Sequence, residues 1–258
     1  MDKTHYFDTL RTFTGSWEDF FILAALIGMA LLAVVMFAER GKHQPNMHSP
    51  RLAWMRGGLY FCFAYIFSWT TGVLSTVVHS PLATRAELQE PGWIALMLFC
   101  SAVAIWSYCF WWPRGTLTHG RKLYFLPTIV FGLLWGISVG LIHLSVFAIV
   151  EEFGFSRWVT ALLVYALLSA YSLNIQLGWW DIYVSPPHNI RATNSGKVLF
   201  AHTPFLISTL TFFTIYGNAG IFVLFSGFAM AACAIAMRFP PFWESDGGPV
   251  SRETAIGV

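Results

Sequence analysis

Apolar positions fall into seven runs, at 20–38, 59–78, 93–112, 126–150, 159–180, 198–216 and 221–237. Each meets or approaches the about 20 apolar residues a helix needs to cross a hydrocarbon core. The pattern predicts an all-α bundle of seven transmembrane helices, a polytopic integral membrane protein. It assigns 1–243 to a single transmembrane domain and 244–258 to a flexible polar tail. The last two runs are separated only by Gly217-Asn218-Ala219-Gly220, so a tight helical hairpin is expected there. Breakers mark the edges: Ser80-Pro81 after run two, Trp112-Pro113 after run three and Pro240-Pro241 after run seven. Gly132, Gly136 and Gly140 recur every fourth residue in run four, which marks a seam for close helix contact.

Composition agrees with the pattern. Of 258 residues, 56% are hydrophobic and 11% charged, and mean hydropathy is +0.60. A soluble domain carries about 25% charged residues, so most of this surface meets something other than water. A net charge of +2 offers nothing to nucleic acid. Cys62, Cys100, Cys109 and Cys233 all lie within apolar runs with no C-x-x-C pair, which excludes a disulfide framework and points to free thiols. The N-terminal segment lacks the basic start and short apolar core of a cleaved signal, so the first run is expected to be retained.

Charge sets the expected orientation. Arg40, Lys42, Arg51, Arg56, Arg114, Arg121, Lys122, Arg191, Lys197, Arg238 and Arg252 fall on one side of the seven runs. Only Lys3, Arg11, Arg85 and Arg157 fall on the other. The positive-inside rule then places the N-terminus outside and the C-terminus in the cytoplasm, in the plasma (inner) membrane. Trp17, Trp54, Trp93, Trp111, Trp112, Trp158, Trp179, Trp180 and Trp243 fall where interfacial belts are expected.

The richest chemistry lies between runs five and six. Asn174 and Gln176 sit just inside the apolar run that Trp179, Trp180 and Asp181 close. Ser185-Pro186-Pro187 stiffens the link, His188 and Arg191 follow, and Lys197 and His202 open the next run. Ionisable groups at such depth are costly and mark functional sites. Asp181, His188 and His202 are candidate ligands for a transition metal ion such as iron, copper or zinc. The same three are candidate acid–base catalysts for a hydrophobic substrate entering from the bilayer. Asn174 and Gln176 would orient that substrate, Trp179 and Trp180 would wall it, and Arg191 and Lys197 with His188 would hold an anionic headgroup. The structural alternative pairs Asp181 with Arg191 or Lys197, leaves His188 in a loop and bonds His202 to a backbone carbonyl.

A weaker constellation gathers on the opposite side: His143 and Glu151 eight apart near the end of run four, His79 at the end of run two, and Glu18 and Asp19 at the start of run one. A second metal or proton site could be assembled from these. His5, His43, His48 and His119 read as solvated loop residues. His143 and His202 are the two histidines inside runs, and the predicted topology sets them towards opposite faces, which argues against a heme held between them.

Several classes are excluded by absence. No lysine follows Lys197, so no retinal Schiff base is available in run seven. Neither D-D-x-x-D, nor histidines spaced i, i+3 or i, i+4, nor a P-loop, nor H-E-x-x-H occurs. The sequence therefore points to a membrane-embedded enzyme for a lipid or isoprenoid-like substrate, at the cytoplasmic ends of helices five and six. The alternative is a non-catalytic or cofactor-carrying subunit of a larger membrane complex. The partners implied are membrane lipids and other membrane subunits.

Overall fold

The computed structural model describes residues 17–38, 48–113, 116, 118, 121–173 and 196–246. It is all-helical: 82% helix, with no strands among the described residues. In chain order the helices are α1 (Trp17–Ala38), α2 (Pro50–Thr70), α3 (Val73–His79), α4 (Arg85–Gln89), α5 (Pro91–Ile105), α6 (Phe125–Glu151), α7 (Arg157–Tyr171), α8 (Thr203–Tyr216) and α9 (Ala219–Ala236). Helix α5 runs on into a wide-turn π segment, Trp106–Trp111, and α8 is preceded by another, Val198–His202. Residues 172–173 open a third at the end of α7.

Five helical stretches are long and apolar enough to cross a membrane: Asp19–Ala38, Pro91–Trp111, Phe125–Glu151, Val198–Tyr216 and Ala219–Ala236. The second apolar run departs from the single helix expected of it. Helix α2 stops at Thr70, and α3 leaves at 90° to it. The cause is local. Gly72 takes φ 75, a left-handed conformation that glycine adopts without a Cβ penalty. The Thr71 hydroxyl donates to the Phe67 carbonyl, closing off the helix end. Helix α7 is also short, 15 residues of apolar helix, and the rest of its predicted run lies outside the described residues. The polar tail is described only to Asp246.

Helix α6 is the hub. It packs along α9, α2 and α7, while α1 lies on α2 and α8 lies on α5 and α7. The α6–α9 contact is the tightest, and the three glycines are its reason. A Cβ on Gly132 would lie 2.7 Å from the Met230 carbonyl oxygen, one on Gly136 2.6 Å from Gly227 Cα, and one on Gly140 2.9 Å from Val223 Cα. Backbone therefore meets backbone along the whole seam. At its basic end the chain closes over α6: Phe239 stacks on Phe131 with ring centroids 3.7 Å apart, and the Thr128 hydroxyl donates to the Phe239 carbonyl at 2.7 Å.

The two ends of the bundle differ in charge. One carries Arg121, Lys122 and Arg238, the other Glu87, Glu90, Glu151 and Glu152. At the acidic end α8 stops at Gly217, φ 71, and α9 starts at Ala219, so the expected hairpin is present. Asn218 in that turn is clamped from both sides. It accepts from Trp93 Nε1 at 3.1 Å and donates to Glu87 Oε1 at 3.1 Å. Trp93 and Trp112 are buried, not belt residues, whereas Trp17, Trp158 and Trp243 are exposed. His48, expected to be solvated, is buried against Phe239. All four cysteines are free.

Candidate functional site

Most hydroxyls in these apolar helices bond a carbonyl of their own helix, so polar side chains that meet across helices stand out. One such cluster forms around His202, which is 3% exposed. Tyr108 places its hydroxyl 2.9 Å from Nδ1 of His202, and Ser172 places its hydroxyl 2.9 Å from Nε2. A neutral imidazole has one donor and one acceptor nitrogen, so one hydroxyl donates to the ring and the other accepts from it. The result is a hydroxyl–imidazole–hydroxyl chain joining three helical segments.

The backbone explains why these three residues meet. Tyr108, Ser172 and His202 each lie in a wide-turn segment. A π turn shifts the side chains that follow it off the ordinary helical stripe, and such turns recur at functional sites. Aromatic packing fixes the surroundings. Tyr108 meets Phe205 edge-on at 4.9 Å, Trp112 lies 6.4 Å from the His202 ring, and Trp111 stacks on Phe200 at 5.7 Å. Five residues before His202, the buried Lys197 ammonium donates to the Trp112 carbonyl at 3.0 Å.

His143 of α6 completes the cluster. It is 1% exposed, and its ring centroid is 6.1 Å from that of His202. Its other ring neighbour is Phe222, at 6.5 Å. Neither ring nitrogen of His143 has a hydrogen-bond partner among the described residues. The separation of the two histidines expected from topology is therefore wrong. That expectation centred every run at one depth. Helix α6 has 27 residues, about 40 Å at 1.5 Å per residue, so it overshoots a hydrocarbon core and its residues need not match the depth of those in a shorter neighbour.

Both nitrogens of His202 are taken by hydroxyls, and the two rings cross at 63°. Among the described residues, no group of three His, Cys, Asp or Glu side chains could hold a metal ion. The backbone carbonyl expected as the partner of His202 is replaced by the two hydroxyls.

Of the residues singled out in the sequence, Lys197 and His202 are brought together with the cluster. Asn174, Gln176, Trp179, Trp180, Asp181, His188 and Arg191 lie outside the described residues. The weaker constellation is described only in part, since the Glu18 side chain lies outside the described residues, and no three of its described members could hold a metal ion. His79 is exposed, with Nδ1 3.0 Å from the Ser75 carbonyl, and Glu151 lines a small cavity with Thr76, Leu144 and Phe147 at the acidic end. Tyr108, Ser172 and the pairing of His143 with His202 were not anticipated. Their signal was a hydroxyl or imidazole inside an apolar run.

One string has a misleading spelling. Gly136-Ile137-Ser138-Val139-Gly140 matches the G-x-S-x-G of hydrolase nucleophile elbows. Here it lies in the middle of α6, not on a strand-to-helix turn. The Ser138 hydroxyl donates to the Leu134 carbonyl at 2.6 Å, and both glycines face α9. It serves here as a packing element.

Fold and cluster together define an all-helical protein with several apolar helices of membrane-crossing length and a buried histidine centre. No protein-family model, curated protein or solved structure matches the chain.

Proposed function

We propose that this is a multi-pass integral membrane protein of seven spans, its acidic end outside and its basic end in the cytoplasm, in the plasma (inner) membrane. We further propose that it is an enzyme acting on a lipid or isoprenoid-like substrate, with His202 as its acid–base group. The observation that carries this reading is His202 itself: an imidazole 3% exposed, with a hydroxyl 2.9 Å from each ring nitrogen. Such a ring is oriented, shielded from water and able to give a proton on one side while taking one on the other. In this reading α7 belongs to span five, and the bent pair α2 and α3 makes up span two.

The apolar flank supports a substrate that enters from the bilayer. Trp106, Phe110, Leu199 and Phe200 are exposed beside the cluster, and Trp111 lines the same side. In this reading Asp181 and His188 complete the acid–base set, and Asn174 and Gln176 orient the substrate. Trp179 and Trp180 wall the pocket, and Arg191 and Lys197 hold an anionic headgroup.

The test compares membrane lipid profiles of cells lacking the protein with cells carrying wild type or His202→Gln. The reading expects one lipid class to change on deletion, wild type to restore it and His202→Gln to fail at equal protein level. A variant that restores the profile as wild type does overturns it.

A second reading, a non-catalytic or cofactor-carrying subunit, is favoured by α1. This helix packs on α2 and leaves Phe20, Leu31, Val34 and Phe37 exposed, a stripe that helices of another chain could cover. Co-purification of a stoichiometric second membrane chain would select it.

A further inference from the structure

The histidine cluster does not stop at His202. On α6, His143, Phe147 and Glu151 are spaced i, i+4 and i+8 and share a face. That face leads from the cluster to the acidic end, where Glu151 and Phe147 line a cavity with Thr76, Leu144 and Phe213. From His143 to Glu151 the helix rises about 12 Å, at about 1.5 Å per residue. The two imidazoles bridge the next 6.1 Å between centroids. From His202 back to Lys197, at the basic end, is about 7 Å more of helical rise. The two helical stretches together rise about 19 Å, and the step between the rings crosses from one helix to the other.

Two features of this line do not follow from a catalytic role for His202 alone. His143 is fully buried, and neither nitrogen has a partner among the described residues. Leaving a buried polar group unsatisfied is costly, and an apolar residue in its place would avoid that cost. And its one titratable ring neighbour is a histidine that already holds a hydroxyl on each nitrogen. The His143 ring thus lies 6.1 Å, centroid to centroid, from the imidazole at the middle of the hydroxyl–imidazole–hydroxyl chain.

We propose that His143 and His202 form a proton path between the cavity at Glu151 and the Tyr108, Ser172 and Lys197 groups at the basic end. Each neutral imidazole takes a proton on one nitrogen and releases the proton on the other. The charge passes through without a net change in the ring, and return to the first tautomer resets it. Chains of Asp, Glu and His in apolar helices serve this purpose in membrane proteins. The path rests on the membrane topology proposed above, and on His202 exchanging protons, but not on any lipid chemistry.

The test reconstitutes the full chain into phosphatidylcholine–phosphatidylglycerol vesicles loaded with a pH-sensitive dye, with proton entry driven by a potassium gradient and valinomycin. Wild type is expected to admit protons several-fold faster than protein-free vesicles. His143→Phe and His202→Gln should each fall to the protein-free rate, and Glu151→Gln should slow entry by a smaller factor. If His143→Phe fails to insert, His143→Gln decides: it keeps a polar side chain but cannot relay between two nitrogens. Wild-type entry equal to protein-free vesicles overturns the proposal. So does a well-inserted His143 variant that keeps the wild-type rate. Histidine-dependent entry with an unchanged lipid profile would sink the enzymatic reading and leave the path standing. The converse result would sink the path alone.

Discussion

Substituting Gly136 by valine tests the packing that holds the cluster in place. A Cβ at this position would sit 2.6 Å from Gly227 Cα and 2.8 Å from Met230 Cβ, and closer still to the Ser226 carbonyl oxygen. Two of these three are backbone atoms, which no rotamer change can move. Restoring even a 3.4 Å contact to Gly227 Cα separates α6 from α9 locally by about 0.8 Å. A gap of that size forfeits about a quarter to a half of the dispersion energy of each contact along it. Overpacking of a tight core costs about 1–3 kcal/mol, and valine's better helix propensity recovers only about 0.4 kcal/mol of that. A net loss of about 0.6–2.6 kcal/mol lowers Tm by about 1–10 °C in a chain of this size. The assay is thermal unfolding in detergent followed by a thiol-reactive dye, because Cys100 and Cys233 are free and buried until the bundle opens. Gly28→Ala is the control: its Cβ would meet Cys62 Sγ at an ordinary 3.6 Å, so its Tm should stay level or rise slightly. A Gly136→Val protein that melts with the Gly28→Ala control refutes the close approach of α6 and α9.

Other expectations follow from single contacts. Tyr108→Phe removes the hydroxyl from Nδ1 of His202 and should destabilise by about 1–3 kcal/mol in the same melting assay; an unchanged Tm would mean the bond is not made. Arg157→Gln loses a donor to the Phe213 carbonyl at 3.1 Å and a cation stacked 5.6 Å over the Phe213 ring, a loss of about 1–2 kcal/mol. The Glu87 carboxylate accepts from the Thr84 backbone N–H, which holds its pKa below the ordinary carboxylate value; burial opposes this, and hydrogen bonds from Asn218 and the Thr84 hydroxyl add to it. Its stabilisation is therefore complete above the ordinary carboxylate pKa and is lost as pH falls through the lowered folded-state value. Glu87→Gln should flatten that part of the Tm–pH curve, and an identical acid slope in both proteins would rule the clamp out.

The apolar runs were legible because a helix in hydrocarbon leaves a length signature that needs no partner to read. The α6 glycine seam was legible for a related reason: small residues at i, i+4 and i+8 have few uses other than close approach. What was lost depended on three-dimensional offsets. The bend at Gly72 is invisible to hydropathy, since Val73, Leu74, Val77 and Val78 remain apolar on either path. The His143–His202 pairing was misread because run boundaries fix length but not how far one helix slides past another. Tyr108 and Ser172 escaped notice because single hydroxyls in apolar runs more often bond their own helix, as Ser138, Ser145 and Ser226 do here. The polar link at 174–195 drew attention by composition alone, and of the residues named around it only Lys197 and His202 are among those described.

The central claim is that two histidines far apart in sequence face each other in the core of this bundle. Magic-angle-spinning NMR on protein labelled at histidine with carbon-13 and nitrogen-15, in lipid bilayers, reads this directly. Ring centroids 6.1 Å apart predict an inter-residue imidazole cross-peak that disappears in both His143→Gln and His202→Gln. A wild-type spectrum with no such cross-peak, or one that survives either substitution, would contradict the pairing and the proton path built on it.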